Sequence, residues 1–128
     1  YMESERVFAA ASGLASPIFD TIEETHKSYD DSIDFLLGHS TQSDKQVEVM
    51  CATHNQASIE NAIEAMSKHG IDRRSSAISF AQLYGMTDHL TFNLGKHGYR
   101  AYKYVPYGEV HEVMAYLLRR ARENSAIV

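Results

Sequence analysis

Short β-prone runs alternate with helical patterns along this chain, and this order constrains its fold more than any other feature. The strands are predicted near Val47–Ala52, Ala77–Ala81 and Arg100–Val105. Such alternation is typical of parallel sheets whose crossover helices cover the outside. A complete β/α barrel needs eight strands and roughly 250 residues, whereas this chain has 128. The pattern therefore predicts an α/β fold, either a small open sheet or a portion of a barrel.

Capping residues predict where the helices begin and end. Ser16 and Pro17 are suited to the N-cap and first position of a long helix, which Gly38 is expected to end. Asn55 is expected to cap the helix after the first strand, and Gly70 to close it. A short helix is predicted over Met86–Leu94, closed by Gly95. A final helix is predicted from about Glu109 to Asn124.

Composition excludes several classes of protein. Hydrophobic residues make up 44% and charged residues 23%, which is typical of a folded soluble domain. The net charge of −5 argues against a nucleic-acid partner. No two of the seven histidines are spaced i,i+4 and Cys51 is the only cysteine, so neither a metal site nor an internal disulfide is expected. Cys51 lies in an apolar strand and is expected to be a buried structural thiol.

The final helix has two unlike sides. Its apolar side is predicted to comprise Val110, Met114, Leu117, Leu118 and Ala121. Its opposite side comprises Tyr116, Arg119, Arg120 and Glu123. Paired guanidinium groups suit a carboxylate or phosphate, because each can donate two parallel hydrogen bonds. The alternative is a solvated helix face on which Arg120 pairs with Glu123.

Polar and aromatic residues follow the ends of the predicted strands. Thr53 and His54 follow the first strand, Gln82 and Leu83 end the second, and Tyr104 lies at the end of the third. Ligands of parallel sheets bind beyond the carboxyl ends of the strands, so these residues are candidates for a site. The alternatives are a capping turn around Thr53 and simple aromatic packing of Tyr104.

Five segments together resemble the proline dehydrogenase family in its eukaryotic mitochondrial form. Tyr102–Gly108, followed by Tyr116–Asn124 with its Tyr-x-x-Arg-Arg-x-x-Glu-Asn motif, is similar to the C-terminal signature of that family. Tyr1–Glu5, Ala52–Asn55 and Phe80–Met86 resemble the ends of the fifth, sixth and seventh strands of its barrel. The resemblance covers essentially the whole chain.

The resemblance implies an FAD-dependent (β/α)8 barrel that oxidises L-proline to Δ1-pyrroline-5-carboxylate, the first step of proline catabolism. In that family, hydride passes from proline to FAD and the electrons to quinone or another acceptor. The family implies a mitochondrial enzyme on the matrix side of the inner membrane, with peripheral membrane association. Residues 1–128 would then be the C-terminal part of the catalytic barrel.

The resemblance also implies roles for individual residues. Its substrate-binding residues are Arg119 and Arg120 at the carboxylate, Tyr104 and Tyr116 beside the proline ring, Leu83 against that ring, and Tyr1 as a further aromatic. Its flavin contacts are Thr53, His54, Gln82 and Glu123. Relatives that take hydroxyproline have a small polar residue where Tyr104 stands, which favours proline here.

The chain departs from the family in one respect, because the earlier strands of the barrel are not in it. In the family those strands carry a lysine and an aspartate near the substrate, and an arginine just upstream of the position that Tyr1 matches contacts the flavin. The missing N-terminal half of the barrel is therefore an expected partner, and this piece alone is expected to be inactive, with exposed strand edges. Two alternatives stay open: a non-catalytic α/β module that binds a carboxylate ligand or a partner protein through its arginine-rich helix face, and a barrel enzyme that uses the arginines for phosphate.

Overall fold

The computed structural model describes residues 2–42 and 47–124, with side chains over 2–41 and 47–120. Within these residues there are five helices and three strands, which alternate from the second helix onward. They are α1 (Met2–Ser12), α2 (Ile22–Gln42), β1 (Val49–Ala52), α3 (Gln56–Lys68), β2 (Ile78–Leu83), α4 (Asp88–Lys96), β3 (Ala101–Tyr104) and α5 (Val110–Asn124).

The three strands form one parallel sheet in the order β1-β2-β3. Cys51 of β1 pairs with Phe80 of β2, and Leu83 at the end of β2 pairs with Tyr104 at the end of β3. The predicted parallel α/β arrangement is therefore confirmed. The carboxyl ends of the strands meet at one edge of the sheet.

The two faces of the sheet differ in burial because side chains alternate along each strand. The face covered by helices holds a core of Val49, Cys51, Ile78 and Phe80 with Ile33, Leu37, Ile59 and Met66. Full burial of a side chain such as Phe80 contributes about 1.5–3 kcal/mol. On the opposite face Met50 is 59% and Tyr104 53% exposed. Cys51 is fully buried and free, as expected for a structural thiol.

The predicted start of the second helix at Ser16-Pro17 is wrong. The Ser16 hydroxyl accepts a hydrogen bond from the Ile18 N–H at 3.2 Å within a bend. The helix begins at Ile22, after Thr21, whose hydroxyl accepts from the Glu24 N–H while the Glu24 carboxylate accepts from the Thr21 N–H, both at 3.2 Å. This reciprocal capping box satisfies two backbone N–H donors, whereas Ser16 accepts from one.

The predicted end of that helix at Gly38 is also wrong, since α2 continues to Gln42. A Cβ atom at Gly38 would lie 3.1 Å from Cε1 of His69, in the residue that caps α3. Glycine at this position allows α2 and the end of α3 to approach closely, and it does not end the helix. Gly95 likewise lies inside α4, which ends at Lys96.

The helix after β2 begins two residues later than predicted, at Asp88. Thr87 precedes it with φ 47°, in the left-handed region that a threonine rarely adopts. The helix after β1 agrees with the prediction, because the Asn55 side chain accepts from the Ala57 N–H at its N-cap. The backbone of α5 also agrees, although Val110 and Leu118 on its apolar side are exposed.

Among the helices described over 2–42 and 47–124, none combines the length and apolar character needed to cross a membrane.

Candidate functional site

A cavity of about 510 Å³ lies at the carboxyl edge of the sheet. Its walls combine apolar strand residues with the polar, aromatic and basic residues that the sequence singled out. They are Met50, Ala52, Thr53, His54, Ala81, Gln82, Leu83, Tyr104, Tyr116 and Arg120. The structure thus brings together residues from all three strand ends and from α5, as predicted.

A larger groove of about 810 Å³ runs along α2, between Phe19 and Leu36. It contains none of the predicted site residues and no strand end. Because parallel sheets bind ligands at their carboxyl edge, the smaller cavity is the better candidate.

Two aromatic rings and one guanidinium form one wall of the cavity. The ring centroids of Tyr104 and Tyr116 are 5.9 Å apart, with an interplanar angle of 50°. The Cζ atom of Arg120 lies 5.5 Å from the centroid of the Tyr116 ring, within cation–π distance. Tyr116 and Arg120 are one helical turn apart, so they share a side of α5. The wall can therefore receive an apolar ring beside an anionic group.

The two adjacent arginines of α5, Arg119 and Arg120, differ in their position relative to the cavity. Arg120 is half-buried and lines the cavity, whereas Arg119 is exposed and does not. Successive residues of a helix point about 100° apart, so the two side chains leave α5 in different directions. The predicted role of Arg119 at a carboxylate stays a prediction.

His54 links the ends of two neighbouring strands. Its Nε2 atom accepts a hydrogen bond from the Leu83 N–H at 3.0 Å. In the neutral ring the proton is therefore on Nδ1. Burial lowers the pKa of His54, and the nearby charge of Lys103 lowers it further. Both effects favour the neutral form that the Leu83 bond requires.

The turn after β1 is a capping turn, as the alternative interpretation held. The Thr53 hydroxyl accepts from the Asn55 N–H, and Asn55 Oδ1 accepts from the Ala57 N–H, each at 3.1 Å. Thr53 nevertheless lines the cavity. Capping and site formation therefore coincide at this turn.

Gln82 supports that turn from the helix-covered side of β2. It is 2% exposed. Its amide nitrogen donates to the Thr53 carbonyl oxygen at 3.2 Å, and its amide oxygen accepts from the Thr91 hydroxyl of α4 at 2.8 Å. Such a buried amide is costly to leave unpaired. Its predicted contact with a flavin stays a prediction.

Sequence reasoning missed Lys103. Its Nζ atom donates to the Met86 carbonyl at 2.7 Å and forms an ion pair with Asp88 at 2.6 Å. The alternation Tyr102-Lys103-Tyr104 within a strand was the available signal, because it directs the lysine to the face opposite the two tyrosines. Tyr1 and the side chain of Glu123, both predicted site residues, lie outside the described residues.

Comparisons with known proteins agree over the whole chain. A family model described as proline dehydrogenase matches residues 1–128. Hydroxyproline dehydrogenase of Xenopus laevis is 41% identical over 128 residues, and mitochondrial proline dehydrogenase 1 of Homo sapiens is 40% identical over 128 residues. Both alignments include 100% of this chain, but 28% and 21% of the two relatives.

A solved structure shares the fold. It is the crystal structure of proline utilization A from Bdellovibrio bacteriovorus inactivated by N-propargylglycine, with a TM-score of 0.79 and 29% sequence identity. The match covers 97% of this chain and 12% of that one. The chain thus spans a fraction of each protein that it resembles. Because the family model accounts for every residue and the shared fold agrees with it, this chain belongs to the proline dehydrogenase family.

Proposed function

We propose that this chain is the C-terminal portion of a (β/α)8 barrel that oxidises L-proline to Δ1-pyrroline-5-carboxylate with FAD. The observation that carries the proposal is the cavity wall of Tyr104, Tyr116 and Arg120. Proline combines a small apolar ring with a carboxylate, and this wall pairs aromatic rings with a guanidinium. The family to which the chain belongs supports the same reaction.

The residues of the cavity would act by binding and orientation. Arg120 would donate charge-assisted hydrogen bonds to the substrate carboxylate. Tyr104, Tyr116 and Leu83 would enclose the ring and hold its reacting carbon in place. Arg119 is proposed as a second carboxylate contact and Tyr1 as a further aromatic wall.

The reaction removes a hydride from the ring carbon beside nitrogen and a proton from that nitrogen, so that a C=N bond forms. Positioning contributes more to such a step than a strong acid or base does. FAD, when bound, would supply the hydride acceptor. The apolar floor of Met50, Ala52 and Ala81 would help to exclude water from the reacting carbon.

The donor set at the strand ends fits a flavin. Thr53 offers a hydroxyl, and His54 keeps an N–H on Nδ1 because its other ring nitrogen is bonded to Leu83. These groups suit the carbonyl oxygens and ring nitrogens of a flavin. Gln82 would act through Thr53, which it holds, and Glu123 is proposed as a further contact.

The rest of the barrel is proposed to cover the surfaces that this chain leaves open. The exposed strand residue Met50 and the exposed apolar residues Val110 and Leu118 of α5 support this view, because such surface is usually buried against further structure. The strands of the N-terminal half would pair beside both edge strands, β1 and β3, and so close the barrel and complete the site.

We propose a mitochondrial enzyme on the matrix side of the inner membrane, peripherally associated with it, that passes electrons to quinone or another acceptor. The support is that several relatives are named mitochondrial proline dehydrogenases, including those of Homo sapiens and Dictyostelium discoideum. They are 40% and 38% identical to this chain.

Hydroxyproline is the second candidate substrate, because the Xenopus laevis hydroxyproline dehydrogenase is as similar to this chain as the proline dehydrogenases are. The phenol ring of Tyr104, 5.9 Å from that of Tyr116, favours proline. An added ring hydroxyl would meet an apolar aromatic surface there. We therefore propose proline as the preferred substrate.

The test uses the full-length protein that contains this chain. It should be yellow, and L-proline should bleach its flavin absorption without oxygen, faster than 4-hydroxyproline does. Arg74→Met, at the opposite end of the sheet, is a control that should behave like the wild type. A colourless protein that ignores proline would refute the enzyme and favour a carboxylate- or partner-binding module. Faster bleaching by hydroxyproline would reverse the substrate preference.

A further inference from the structure

Lys103 is a largely buried cation outside the cavity wall. It lies in the middle of β3, and its side chain is 18% exposed. Burying a lysine is costly unless its ammonium group is fully paired. The partners of that group therefore indicate what the residue does.

The Lys103 ammonium binds the turn between β2 and α4 at three points. It donates to the Met86 carbonyl oxygen at 2.7 Å and to the Leu83 carbonyl oxygen at 3.4 Å. Its ion pair with Asp88 Oδ1, at 2.6 Å, reaches the first residue of α4. The ammonium thus contacts the beginning, the middle and the end of the turn.

The turn needs such a restraint because its backbone is unusual. Gly85 has φ 77° and Thr87 has φ 47°. Threonine rarely adopts the left-handed region, and such conformations persist only where surrounding contacts enforce them. Thr87 has no side-chain capping bond to do this.

Leu83 is held on both sides of its backbone. Its N–H donates to His54 Nε2 at 3.0 Å, and its carbonyl oxygen accepts from Lys103 and from the Met86 N–H at 3.0 Å. Its side chain lines the cavity. A change at Lys103 would therefore be transmitted to a cavity wall that Lys103 does not itself form.

We propose that Lys103 is a positioning residue, which anchors the turn from Leu83 to Asp88 and thereby sets how closely Leu83 approaches the ring of the bound substrate. This inference rests on the proposed function. The charge of Lys103 also favours neutral His54, the form that can accept the Leu83 bond. Its role is distinct from that of Arg120, which is proposed to bind the carboxylate.

The test compares Lys103→Met with Lys96→Met in the full-length protein. Lys96 is an exposed lysine in the last turn of α4 and serves as the matched control. Two competitive ligands separate ring contact from carboxylate contact: tetrahydrofuran-2-carboxylate, which has a ring, and acetate, which has none. Hydrogen exchange of residues 83–88 reports on the turn itself.

We expect Lys103→Met to raise the inhibition constant of the ring carboxylate and lower kcat/KM for proline, each about tenfold, because the reacting carbon is held less well. Acetate binding should change less than about twofold, and exchange at 83–88 should quicken about tenfold, because the lost contacts restrain this turn. Lys103→Arg, which keeps the charge and hydrogen-bond donors but has a larger, planar head group, should recover part of the loss. Lys96→Met should match the wild type in every measurement.

If Lys103→Met weakens the binding of both ligands equally, or leaves hydrogen exchange at 83–88 unchanged, the positioning role is wrong and Lys103 has a general structural role. If Lys103→Met does not fold, Asp88→Asn weakens the same anchor and the same outcomes apply. A wild-type protein that does not oxidise proline would refute the proposed function. An active wild type with an unaffected Lys103→Met variant would refute this inference alone.

Discussion

The backbone N–H of Leu83 donates to Nε2 of His54 across 3.0 Å, which joins the end of one strand to the residues following its neighbour. One bond therefore fixes both the tautomer of the imidazole and the backbone of a cavity wall. The bond exists only while Nε2 is unprotonated. It makes the shape of the cavity dependent on the protonation of one histidine.

His54 should make the folded protein less stable in acid. Burial, and then the charge of Lys103, lower its pKa in the folded state, so the unfolded chain binds the proton more readily. The free energy of unfolding that neutral His54 contributes is fully present above the ordinary histidine pKa of about 6.5. It is lost as the pH falls from there through the lowered pKa of the folded state.

The measurement is the thermal midpoint of the full-length protein between pH 8 and pH 5, compared with that of His54→Gln. The wild type should lose more stability over this interval than the variant, whose side chain does not titrate. Identical pH profiles of the wild type and the variant would show that the pKa of His54 is the same in the folded and unfolded states.

Arg120→Met should weaken proline saturation. A lost charge-assisted hydrogen bond of about 1.5–3 kcal/mol corresponds to roughly a ten- to hundredfold rise in KM. Arg120→Lys should recover part of this, because it keeps the charge but loses the planar fork. Steady-state kinetics of the wild type and both variants give the KM for proline. Competition by pyrrolidine, which has no carboxylate, gives the binding of the ring alone.

An equal effect on pyrrolidine binding would indicate that Arg120 is structural. The same kinetics on Arg119→Met test the second guanidinium. We expect its KM for proline to rise as well, and an unchanged KM would assign Arg119 to a solvated helix face.

Tyr104→Ser should shift substrate preference toward hydroxyproline. The change removes an aromatic ring that lies 5.9 Å from Tyr116 and introduces a hydroxyl that can pair with the substrate hydroxyl. A contribution of about 1–3 kcal/mol predicts that the ratio of kcat/KM for proline to that for hydroxyproline falls about ten- to hundredfold. Tyr107→Ser, at an exposed turn residue, is the matched control. A ratio that stays the same in Tyr104→Ser would remove this residue from substrate selection.

Gly38→Ala should destabilise the protein although the position is helical. At an exposed helix position, alanine normally stabilises a protein by about 1 kcal/mol relative to glycine. At Gly38 the new Cβ would lie 3.1 Å from the ring of His69, which an Asp34 contact of 2.9 Å restrains. Overpacking of this kind costs about 1–3 kcal/mol, so the net effect should be a loss.

Gly95→Ala is the matched control, since among the described residues no atom beyond its chain neighbours and its own helix backbone lies within 4 Å of a Cβ built there. It should stabilise the protein by about 1 kcal/mol. Denaturant unfolding of both variants gives the comparison. Stabilisation of Gly38→Ala to the same extent would show that the His69 ring moves aside readily.

The sequence by itself determined that the strands are parallel, because alternation of strands and helices permits few other connections. It also determined the cap at Asn55 and, to within two residues, where the strands end, since these depend on residues close along the chain. The motif of Tyr116 to Asn124, together with the four other segments that resemble the family, indicated proline dehydrogenase.

Only the tertiary structure decided which partner each polar group found. The cap of α2 at Thr21 is an exception, because the Thr-x-x-Glu pattern that forms it with Glu24 is local. Gly38, by contrast, lies inside that helix where His69 at the end of α3 packs against it. The cavity position of Arg120, the tautomer of His54 and the anchoring by Lys103 depend on the orientation of α5 and the spacing of neighbouring strands. These are contacts between residues far apart in the chain, which the local pattern of the sequence does not encode.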